Sequence, residues 1–432
     1  MTETDVVIIG AGLAGLGAAA ALRDAGARAV VLEASGRVVG RAWTDYPEAL
    51  GGAWFDMGAV WLHNAEHNPL VPIARVAGDT LLRSDDIRQE RTFIGNRLAT
   101  DAELSACADA GPRYEAAADA ILATEDDVPL AEVRRRLPDD PWAATIEAWE
   151  GSVICAVDAD RFSARDWRRN ALAGSNLVPD GGIGAFVRRR LTQGLDIRVN
   201  TPARRIRWGG AAGKVTVETA QGSITGGACI VTVSTGVLAS ETLLFDPILP
   251  VRVTEAVQQL PMGLVMKVVL RAATADRLDL PPSCSVDRIL ARSGEPLMPF
   301  QCWPLGRDYV QGWIGGSFAS DLARQDEAAA VDFAVSYLRQ TFGGRVDRLF
   351  AGGPTLVTHW DADPWVRGAY CYAVPGSALA RDALAEPIAD GHLMFAGEAC
   401  HVGLAGTLGG AWISGQTAAR TALAAVRSAG GT

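Results

Sequence analysis

The chain lacks the features that mark secreted and membrane-spanning proteins. Its seven cysteines are irregularly spaced and none forms a C-x-x-C pair, so the sequence predicts neither a disulfide framework nor a zinc site. Such cysteine usage is typical of a reducing compartment, and we expect a cytoplasmic protein. No apolar run reaches the roughly 18 residues of a membrane span. The first predicted strand begins too early to leave room for a signal peptide.

Positive charge is also scarce, which limits the classes of partner. The 432 residues carry 40 Lys and Arg against 50 Asp and Glu, a net charge of −10, and this argues against nucleic acid as a partner. The five histidines suggest no Ser/His/Asp triad, and we predict no metal site and no hydrolytic triad. The length favours two or three domains.

The most informative segment is the first 41 residues. A strand is predicted over 5–9, a Gly-rich turn over 10–15, a helix to about residue 25, and a second strand over 30–32 that ends on Glu33. A glycine-rich turn between a strand and a helix, with an acid at the tip of the next strand, is typical of a dinucleotide-binding βαβ unit. We therefore predict a Rossmann-like domain.

Each residue of this motif has a physical role in holding a dinucleotide. Gly10 allows the tight turn, Gly12 lets the backbone approach a pyrophosphate, and Gly15 lets the helix pack on the strand. The helix N-terminus offers free N–H groups to the phosphates. Glu33 can accept hydrogen bonds from ribose hydroxyls.

A second glycine and arginine segment, Gly-Arg-Val-Val-Gly-Arg over 36–41, follows Glu33 directly. It suits a cofactor with a second half to hold, and Arg41 could form a charge-assisted hydrogen bond with a phosphate. At this point the chain resembles the flavin-dependent amine oxidases, the superfamily of monoamine and polyamine oxidases. Val39 stands where that family usually has glycine, a small departure that concerns the local backbone geometry.

The far end of the chain carries the other half of the resemblance. A strand and polar turn over 393–398 are followed by Gly-Thr-Leu-Gly-Gly-Ala over 406–411 and a helix to about residue 426. This is similar to the closing flavin motif of the family. The resemblance implies that Gly397, Glu398, Thr407 and Leu408 bind FAD, together with Ala203 from the middle of the chain. The N-terminus of the helix would stabilise negative charge on reduced flavin.

The expected fold is α/β, with a Rossmann-like FAD-binding domain interleaved with a substrate domain of mixed sheet and helices, as in amine oxidases. The FAD-binding domain is predicted to comprise 1–72, 183–262 and 388–432, and the substrate domain 73–182 and 263–387. Helices are predicted over 101–122, 129–137 and 142–155, and a turn over 178–184 opens a helix to residue 191. Strands are predicted over 197–200, 203–208, 215–219, 230–233, 266–270, 312–316 and 355–359.

Lys267 is the first candidate for chemistry, because it is the one charge in an otherwise apolar strand. Burying an ammonium without partners is costly. Spacing alone leaves open the alternative that Lys267 lies on a solvent-facing side of the strand, the side on which Val265 and Val269 also lie. The resemblance implies instead that a water bridges Lys267 to flavin N5, where the lysine would assist reoxidation by oxygen or imine hydrolysis.

An aromatic group over 359–372 includes Trp360, Trp365 and Tyr370. Aromatic side chains usually belong to a core, but their order here resembles the amine oxidase segment that runs beneath the flavin. The resemblance implies that Trp360 lies near the flavin and that Tyr370 is one side of an aromatic cage. The second side falls on Thr407, which leaves the cage half-open and suits a bulky or secondary amine.

The position before Tyr370 decides how the cofactor would be attached. Monoamine oxidases carry a flavin-linking cysteine there, and this chain has Ala369. We therefore expect non-covalent FAD. Cys371 is adjacent, but in an extended segment it faces the other way.

A loop near residue 60 completes the predicted site. Gly58, Ala59 and Val60 match the loop that lies along the flavin, and Trp61 stands where L-amino acid oxidases carry a carboxylate-binding arginine, which argues against amino acid substrates. His63 resembles the histidine of animal polyamine oxidases. A neutral histidine could accept a hydrogen bond from the substrate nitrogen, although a purely structural histidine is an equal alternative.

The resemblance implies oxidation of an amine by hydride transfer to flavin N5, giving an imine and H2O2, with a polyamine or a bulky or secondary amine favoured. The expected partners are the amine and O2, and the protein would be a monomer or homodimer. The alternatives are a related flavin desaturase or L-amino acid oxidase, or a flavin-binding protein that acts through partners. Four acids could hold a distal ammonium: Asp86, Glu90, Asp158 and Asp160.

Overall fold

The computed structural model describes residues 2–170, 172–210 and 213–430. Within them the strands are β1 (Thr2–Ile9), β2 (Ala29–Leu32), β3 (Thr44–Asp45), β4 (Phe55–Asp56), β5 (Leu81–Arg83), β6 (Gln89–Ile94), β7 (Arg97–Leu98), β8 (Leu177–Pro179), β9 (Asp196–Arg198), β10 (Ala203–Arg207), β11 (Val215–Thr219), β12 (Gly222–Val231), β13 (Leu244–Asp246), β14 (Val265–Arg271), β15 (Cys284–Ile289), β16 (Phe300–Cys302), β17 (Tyr309–Gly315), β18 (Thr355–Val357) and β19 (Leu393–Phe395).

The α-helices of the described residues are α1 (Leu13–Asp24), α2 (Leu70–Val76), α3 (Ser84–Ile87), α4 (Asp101–Leu122), α5 (Ala131–Arg135), α6 (Ala143–Ala148), α7 (Ala164–Arg169), α8 (Ile183–Leu191), α9 (Thr235–Ala239), α10 (Val251–Gln259), α11 (Gly316–Ala323), α12 (Glu327–Phe342), α13 (Arg345–Phe350), α14 (Ala380–Ala385) and α15 (Leu408–Gly430). None of them is long and apolar enough to cross a membrane.

The first sheet has the strand order β13-β10-β11-β12-β1-β2-β9, with β19 paired to β12. Its centre is parallel, because β1 runs parallel to both β12 and β2. Parallel strands are covered on both faces, and the apolar run of β1 meets this need. Val6 and Ile8 pack in one cluster with the alanines of α1 and α15, while Val7 and Ile9 pack in another on the opposite face.

Helices α1 and α15, from opposite ends of the chain, pack closely beside this sheet. A Cβ on Gly17 would lie 2.7 Å from the backbone oxygen of Trp412, and one on Gly415 would lie 1.9 Å from that of Ala14. Only glycine permits such an approach. The contact brings the two predicted cofactor motifs side by side.

The second sheet has the order β18-β14-β17-β16-β15-β6-β7. It is antiparallel except for the parallel pair β15 and β6. Because side chains alternate along a strand, Met266, Val268 and Leu270 enter a core that includes residues of α11, α12 and α13. Lys267 therefore projects from the other face, toward the first sheet.

The expected fold class is confirmed: the chain is α/β, with a Rossmann-like part around the first sheet interleaved with a part of mixed sheet and helices around the second. The first sheet draws strands from residues 2–32, 196–246 and 393–395, and the second from 89–98 and 265–357. The predicted domain boundaries stay a prediction. Residues 1, 171, 211, 212, 431 and 432, which fall within the predicted domains, lie outside the described residues.

Most predicted elements occur, with shifted ends. The helix over 101–122 and the strand over 215–219 have the predicted bounds, whereas the strand expected over 230–233 is the end of the longer β12. The single helix expected over 142–155 is wrong. Helix α6 ends at Ala148 and a π-helical segment, Trp149–Ile154, continues it. Apolar periodicity does not distinguish the wider π turn from an α turn.

Candidate active site

A cavity of about 440 Å³ runs between the two sheets. Every predicted site residue except one contributes to its wall: Gly10, Gly12, Glu33, Arg41, Gly58, Ala59, Val60, Trp61, His63, Ala203, Lys267, Trp360, Tyr370, Gly397, Glu398, Thr407 and Leu408. The exception, Gly15, lies behind the wall, where a Cβ would come within 1.9 Å of the backbone oxygen of Gly10. Gly15 therefore serves the packing of α1 on the turn.

The Gly-rich turn after β1 forms one end of the cavity. Gly10 adopts φ +104°, and a Cβ on Gly12 would meet nothing within 4 Å, so the backbone there is open to a ligand. Glu33 is buried, and its two carboxylate oxygens accept hydrogen bonds from Ala11 N and Ser35 N, both at 2.8 Å. These amides hold the carboxylate in place. Because Oε1 also accepts from Ser35 Oγ at 2.8 Å, Oε2 is the oxygen that keeps a further lone pair for a ribose hydroxyl.

Arg41 links the two predicted cofactor motifs. Its Nη1 donates to Glu398 Oε1 at 3.0 Å and to the backbone oxygen of Ala369. Glu398 Oε1 also accepts from Cys371 N at 3.1 Å. In this arrangement Arg41 holds Glu398 and the 369–371 segment against the cavity, and its other N–H groups are the ones available for a phosphate.

Val39, the departure from the family pattern, has an unusual backbone conformation. Its φ is +79°, in a region where a β-branched residue is strained. The side chain is buried, and Val39 N donates to Ala11 O at 2.8 Å. The strained turn is thus tied directly to the Gly-rich turn.

The N-terminus of α15 forms a second polar edge of the cavity. Thr407 Oγ1 donates to Leu404 O at 2.8 Å and accepts from Gly410 N at 3.0 Å. These two bonds cap the helix and occupy the hydroxyl, so Thr407 contributes shape to the cavity rather than a free hydrogen-bonding group. The positive end of the helix dipole faces the cavity.

Lys267 is buried, with 5% of its surface exposed. Its Nζ donates to the backbone oxygens of Asp56 at 2.5 Å and Gly58 at 2.6 Å. Burial lowers the pKa of Lys267 to about 8, opposed by the charge of Asp56. The alternative of a lysine on a solvent-facing side of β14 is therefore wrong: β4 and the loop after it cover that face. One N–H of the ammonium remains for a further partner.

Two aromatic side chains, Trp360 and Tyr370, form part of the cavity wall. Trp360 is buried and its Nε1 donates to Met57 O at 3.1 Å. The hydroxyl of Tyr370 donates to the backbone oxygen of Ile154 in the π-helical segment. A Cβ on Gly406, the residue before Thr407, would lie 3.5 Å from the Tyr370 ring, so the ring stands directly across from the start of α15.

His63 is fixed by Asn176, whose Oδ1 lies 2.7 Å from His63 Nδ1. An oxygen acceptor there requires the proton on Nδ1, which leaves Nε2 as an acceptor. Burial lowers the pKa of His63 below its usual value, so the ring is neutral at pH 7. The ring centroid of Trp61 lies 5.8 Å from that of His63 and 6.0 Å from that of Trp313, which makes this wall aromatic.

Several wall residues were not identified from the sequence. They come from the second sheet, the β5–β6 segment and the π-helical segment, and comprise Ser84, Arg88, Trp149, Val153, Ile154, Ser285, Pro299, Gln301 and Trp313. The strand residues share one sheet face with Lys267, so predicting β15, β16 and β17 with their register would have identified them. The π turn leaves no comparable signal in the sequence.

The four acids considered for a distal ammonium do not form the cavity wall. Asp86 pairs with Arg83 at 3.6 Å, and Glu90 pairs with Arg88 at 2.8 Å. Asp158 accepts from Ser317 N at 3.2 Å. Among the described wall residues the acids are Glu33, Asp363 and Glu398, all at the end formed by the cofactor motifs.

Comparison with known proteins identifies the family. The chain matches flavin containing amine oxidoreductase over residues 13–423. It is 30% identical to polyamine oxidase 4 of Oryza sativa subsp. japonica, covering 96% of this chain and 87% of the relative, and 28% identical to polyamine oxidase 2 of Arabidopsis thaliana, covering 96% and 87%. The structure of a putrescine oxidase double mutant superimposes with a TM-score of 0.82 at 20% identity, covering 98% and 99%. The chain belongs to the flavin-containing amine oxidoreductases, and it is an amine-oxidising flavoprotein.

Proposed function

We propose that the protein binds FAD without a covalent link and oxidises a polyamine, or a bulky or secondary amine, to an imine with release of H2O2. The observation that carries this proposal is the position of Lys267. It is a buried, hydrogen-bonded lysine in the wall of the same cavity as the dinucleotide motif and the Tyr370–Thr407 pair. The predicted dinucleotide motif and the Tyr370–Thr407 pair thus line one cavity.

The residues present fit FAD. The open backbone at Gly12 and the N-terminus of α1 suit a pyrophosphate, Glu33 suits the adenosine ribose, and Glu398 would hydrogen-bond the ribityl or ribose region. When bound, FAD would accept a hydride at N5 from the carbon next to the amine nitrogen and then pass two electrons to O2, giving H2O2. The N-terminus of α15 would stabilise the negative charge gained in the first half of this cycle.

The proposed lack of a covalent link is supported by residues 369–371. Ala369 offers no thiol to the cavity. The nearest cysteine in sequence, Cys371, is buried with its Sγ 3.1 Å from Arg381 Nη1 and 3.4 Å from Glu398 Oε2. Burial raises the pKa of the Cys371 thiol well above its usual value, and a protonated thiol is a poor nucleophile. Acid precipitation should therefore release all the flavin, and flavin that stays on the denatured chain would contradict this.

The chain's own residues then orient the amine and keep it neutral. An apolar, aromatic wall disfavours an ammonium relative to a free amine, and hydride transfer requires the neutral form. Tyr370 would hold the amine from one side and the start of α15 from the other, as a positioned pair. His63 Nε2 would accept a hydrogen bond from the amine, and the remaining N–H of Lys267 would hold a water.

Anaerobic mixing with a panel of amines and L-amino acids tests this function. We expect bleaching of the flavin absorbance near 450 nm, a general property of flavin reduction, by polyamines or secondary amines, with one H2O2 formed per turnover on readmission of air. Bleaching by L-amino acids alone would support an L-amino acid oxidase. Bound FAD that no amine reduces would support a flavin-binding protein that acts through partners.

A further inference from the structure

A row of side chains crosses the second sheet on its cavity face. Lys267 of β14 pairs with Trp313 of β17, and Trp313 N donates to Pro299 O at 3.1 Å. Lys267, Trp313 and Pro299 all belong to the cavity wall. The pairing of β15 with β16 ends with Val286 opposite Phe300, so the next residue of β15, Asp287, follows beside Pro299 at the end of this row.

The strand alternation places Asp287 on the cavity side of β15. Val286 enters the core formed with α11, α12 and α13, and the guanidinium of Arg288 lies 4.7 Å from the ring centroid of Tyr337 in α12. Both neighbours of Asp287 thus project to the far face of the sheet. Ser285, two residues earlier and on the same side as Asp287, belongs to the cavity wall.

The carboxylate of Asp287 is incompletely satisfied. Its Oδ1 is buried and has no hydrogen-bond partner among the residues that the structure describes. The charged groups near it are Glu90 and Arg88, and Arg88 Nη2 is hydrogen-bonded to Glu90 at 2.8 Å. Burial, with the charge of Glu90, raises the pKa of Asp287 to about 7. A buried carboxylate without a full set of partners costs stability, and a cationic ligand would supply the missing partner.

We propose that Asp287, behind Ser285 at the outer end of the row, receives the distal ammonium of a linear polyamine whose other end is oxidised beside Lys267. This inference rests on the proposed function and names its substrate class. The row from Lys267 to Asp287 spans three strand spacings, roughly 14 Å. That length suits a triamine or tetraamine and exceeds that of a short diamine.

The wall between the two ends suits such a chain. Trp61, Trp149 and Trp313 line it, and aromatic faces accept both methylene groups and cationic nitrogens. The wall acids Glu33, Asp363 and Glu398 lie at the cofactor end. Asp287 is therefore the acid best placed to pair with a charge at the outer end.

Asp287→Asn tests the inference, with Glu90→Gln as the matched control that removes a nearby, exposed carboxylate. Anaerobic flavin reduction would be followed at pH 8 with spermine and with hexylamine, which has no second nitrogen. In Asp287→Asn we expect the dissociation constant for spermine to rise about 10- to 100-fold, the size of one charge-assisted hydrogen bond. The change for hexylamine should stay below about threefold. Glu90→Gln should change both by less than about threefold, as expected of an exposed charge.

Thermal melting separates this role from a structural one. Because Oδ1 lacks a partner, asparagine should leave the Tm of the holoenzyme equal or higher. A lower Tm with an equal loss for both amines would overturn the inference, as would a spermine-specific loss in Glu90→Gln alone. A wild-type enzyme that oxidises hexylamine but not spermine would remove Asp287 as an anchor and leave the proposed function in place. Failure of every amine to reduce the flavin would remove both.

Discussion

The two ends of the cavity are built in different ways. One end, called here the cofactor end, is formed by the two short motifs around Gly10 and Glu398, and backbone atoms make up much of its wall. Its acids have partners: Glu33 accepts from two amides, and Glu398 pairs with Arg41. The substrate end is assembled from alternate residues of separate strands and a π-helical segment. There the row ends at Asp287, with an oxygen that has no partner among the described residues.

This difference follows from what each end would bind. A dinucleotide presents phosphates and hydroxyls that backbone amides and one acid can recognise, so a compact motif is sufficient. An amine is distinguished by its length, its width and the position of its charges. Side chains that project from a sheet select for those properties, and the register of the strands decides which side chains lie next to one another.

The largest effect is expected for substitutions of two glycines in the Gly-rich turn after β1, Gly15 and Gly12, which should impair different properties. Gly15→Ala would force a Cβ to within 1.9 Å of Gly10 O, and we expect a loss of several kcal/mol and little soluble holoenzyme, since backbone must move. Gly12→Ala meets nothing within 4 Å, so the protein should fold but bind FAD weakly. Circular dichroism and flavin content measure the two effects. Full flavin content in Gly12→Ala would show that the pyrophosphate lies elsewhere.

Tyr370→Ala tests the substrate end. Loss of the ring removes one side of the gap and an apolar wall, so kcat/KM for the preferred amine should fall by about one to two orders of magnitude. Tyr370→Phe keeps the ring and loses only the hydrogen bond to Ile154, and its effect should be much smaller. Steady-state kinetics with matched flavin content measures both. Equal rates for all amines in Tyr370→Ala would contradict the cage assignment.

Lys267→Met tests a residue that lies between the two ends of the cavity, because Lys267 projects from the second sheet and donates to the backbone oxygens of Asp56 and Gly58. We expect reaction of the reduced flavin with O2, or imine hydrolysis, to slow by about tenfold or more. The pKa of Lys267 is lowered to about 8, so the ammonium predominates below that pH. Reoxidation of the wild type should therefore be fastest below about pH 8 and slow above it.

Stopped-flow reoxidation from pH 6 to 10 measures this dependence. In Lys267→Met the step near pH 8 should disappear while FAD content is retained. A variant with unchanged rates and an unchanged pH profile would return Lys267 to a structural role.

Thr407→Tyr has the smallest expected effect on overall activity and the clearest effect on selectivity. A second ring opposite Tyr370 would narrow the gap, so preference should shift from branched or secondary amines towards slim primary amines. The same change removes the helix cap made by Thr407 Oγ1, at about 1 kcal/mol. Thr407→Val, which loses the cap but keeps the width, is the control. The ratio of kcat/KM for the two amine classes is the measurement, and an unchanged ratio would place Thr407 outside the gap.

Local chemistry made the cofactor end predictable. Gly10, Gly12 and Glu33 contribute backbone geometry and one carboxylate within a single βαβ unit, and a motif of that kind is visible in a short stretch of sequence. The second motif, with Glu398 and Thr407, is equally local. Its position beside the first depends on the glycine contacts between α1 and α15.

The substrate end depends on pairing between strands far apart in the chain. Lys267 was ambiguous because an apolar strand with one lysine does not show which face is covered, and only the contact with Asp56 and Gly58 decides this. Trp313 and Asp287 carry no motif. Trp313 lines the cavity because cross-strand register places it opposite Lys267, and Asp287 lies on the same sheet face, behind Ser285.

The amino-acid sequence by itself thus determined the fold class and the family and predicted most of the cavity wall, since these depend on short-range patterns of glycine, acid and apolar alternation. Tertiary structure decided which face of β14 is buried, that Thr407 uses its hydroxyl as a helix cap, and that the acids at the outer end differ in burial. These properties arise from contacts between segments separated by tens to hundreds of residues. Long-range register and burial are collective results of packing, and local sequence carries little trace of them.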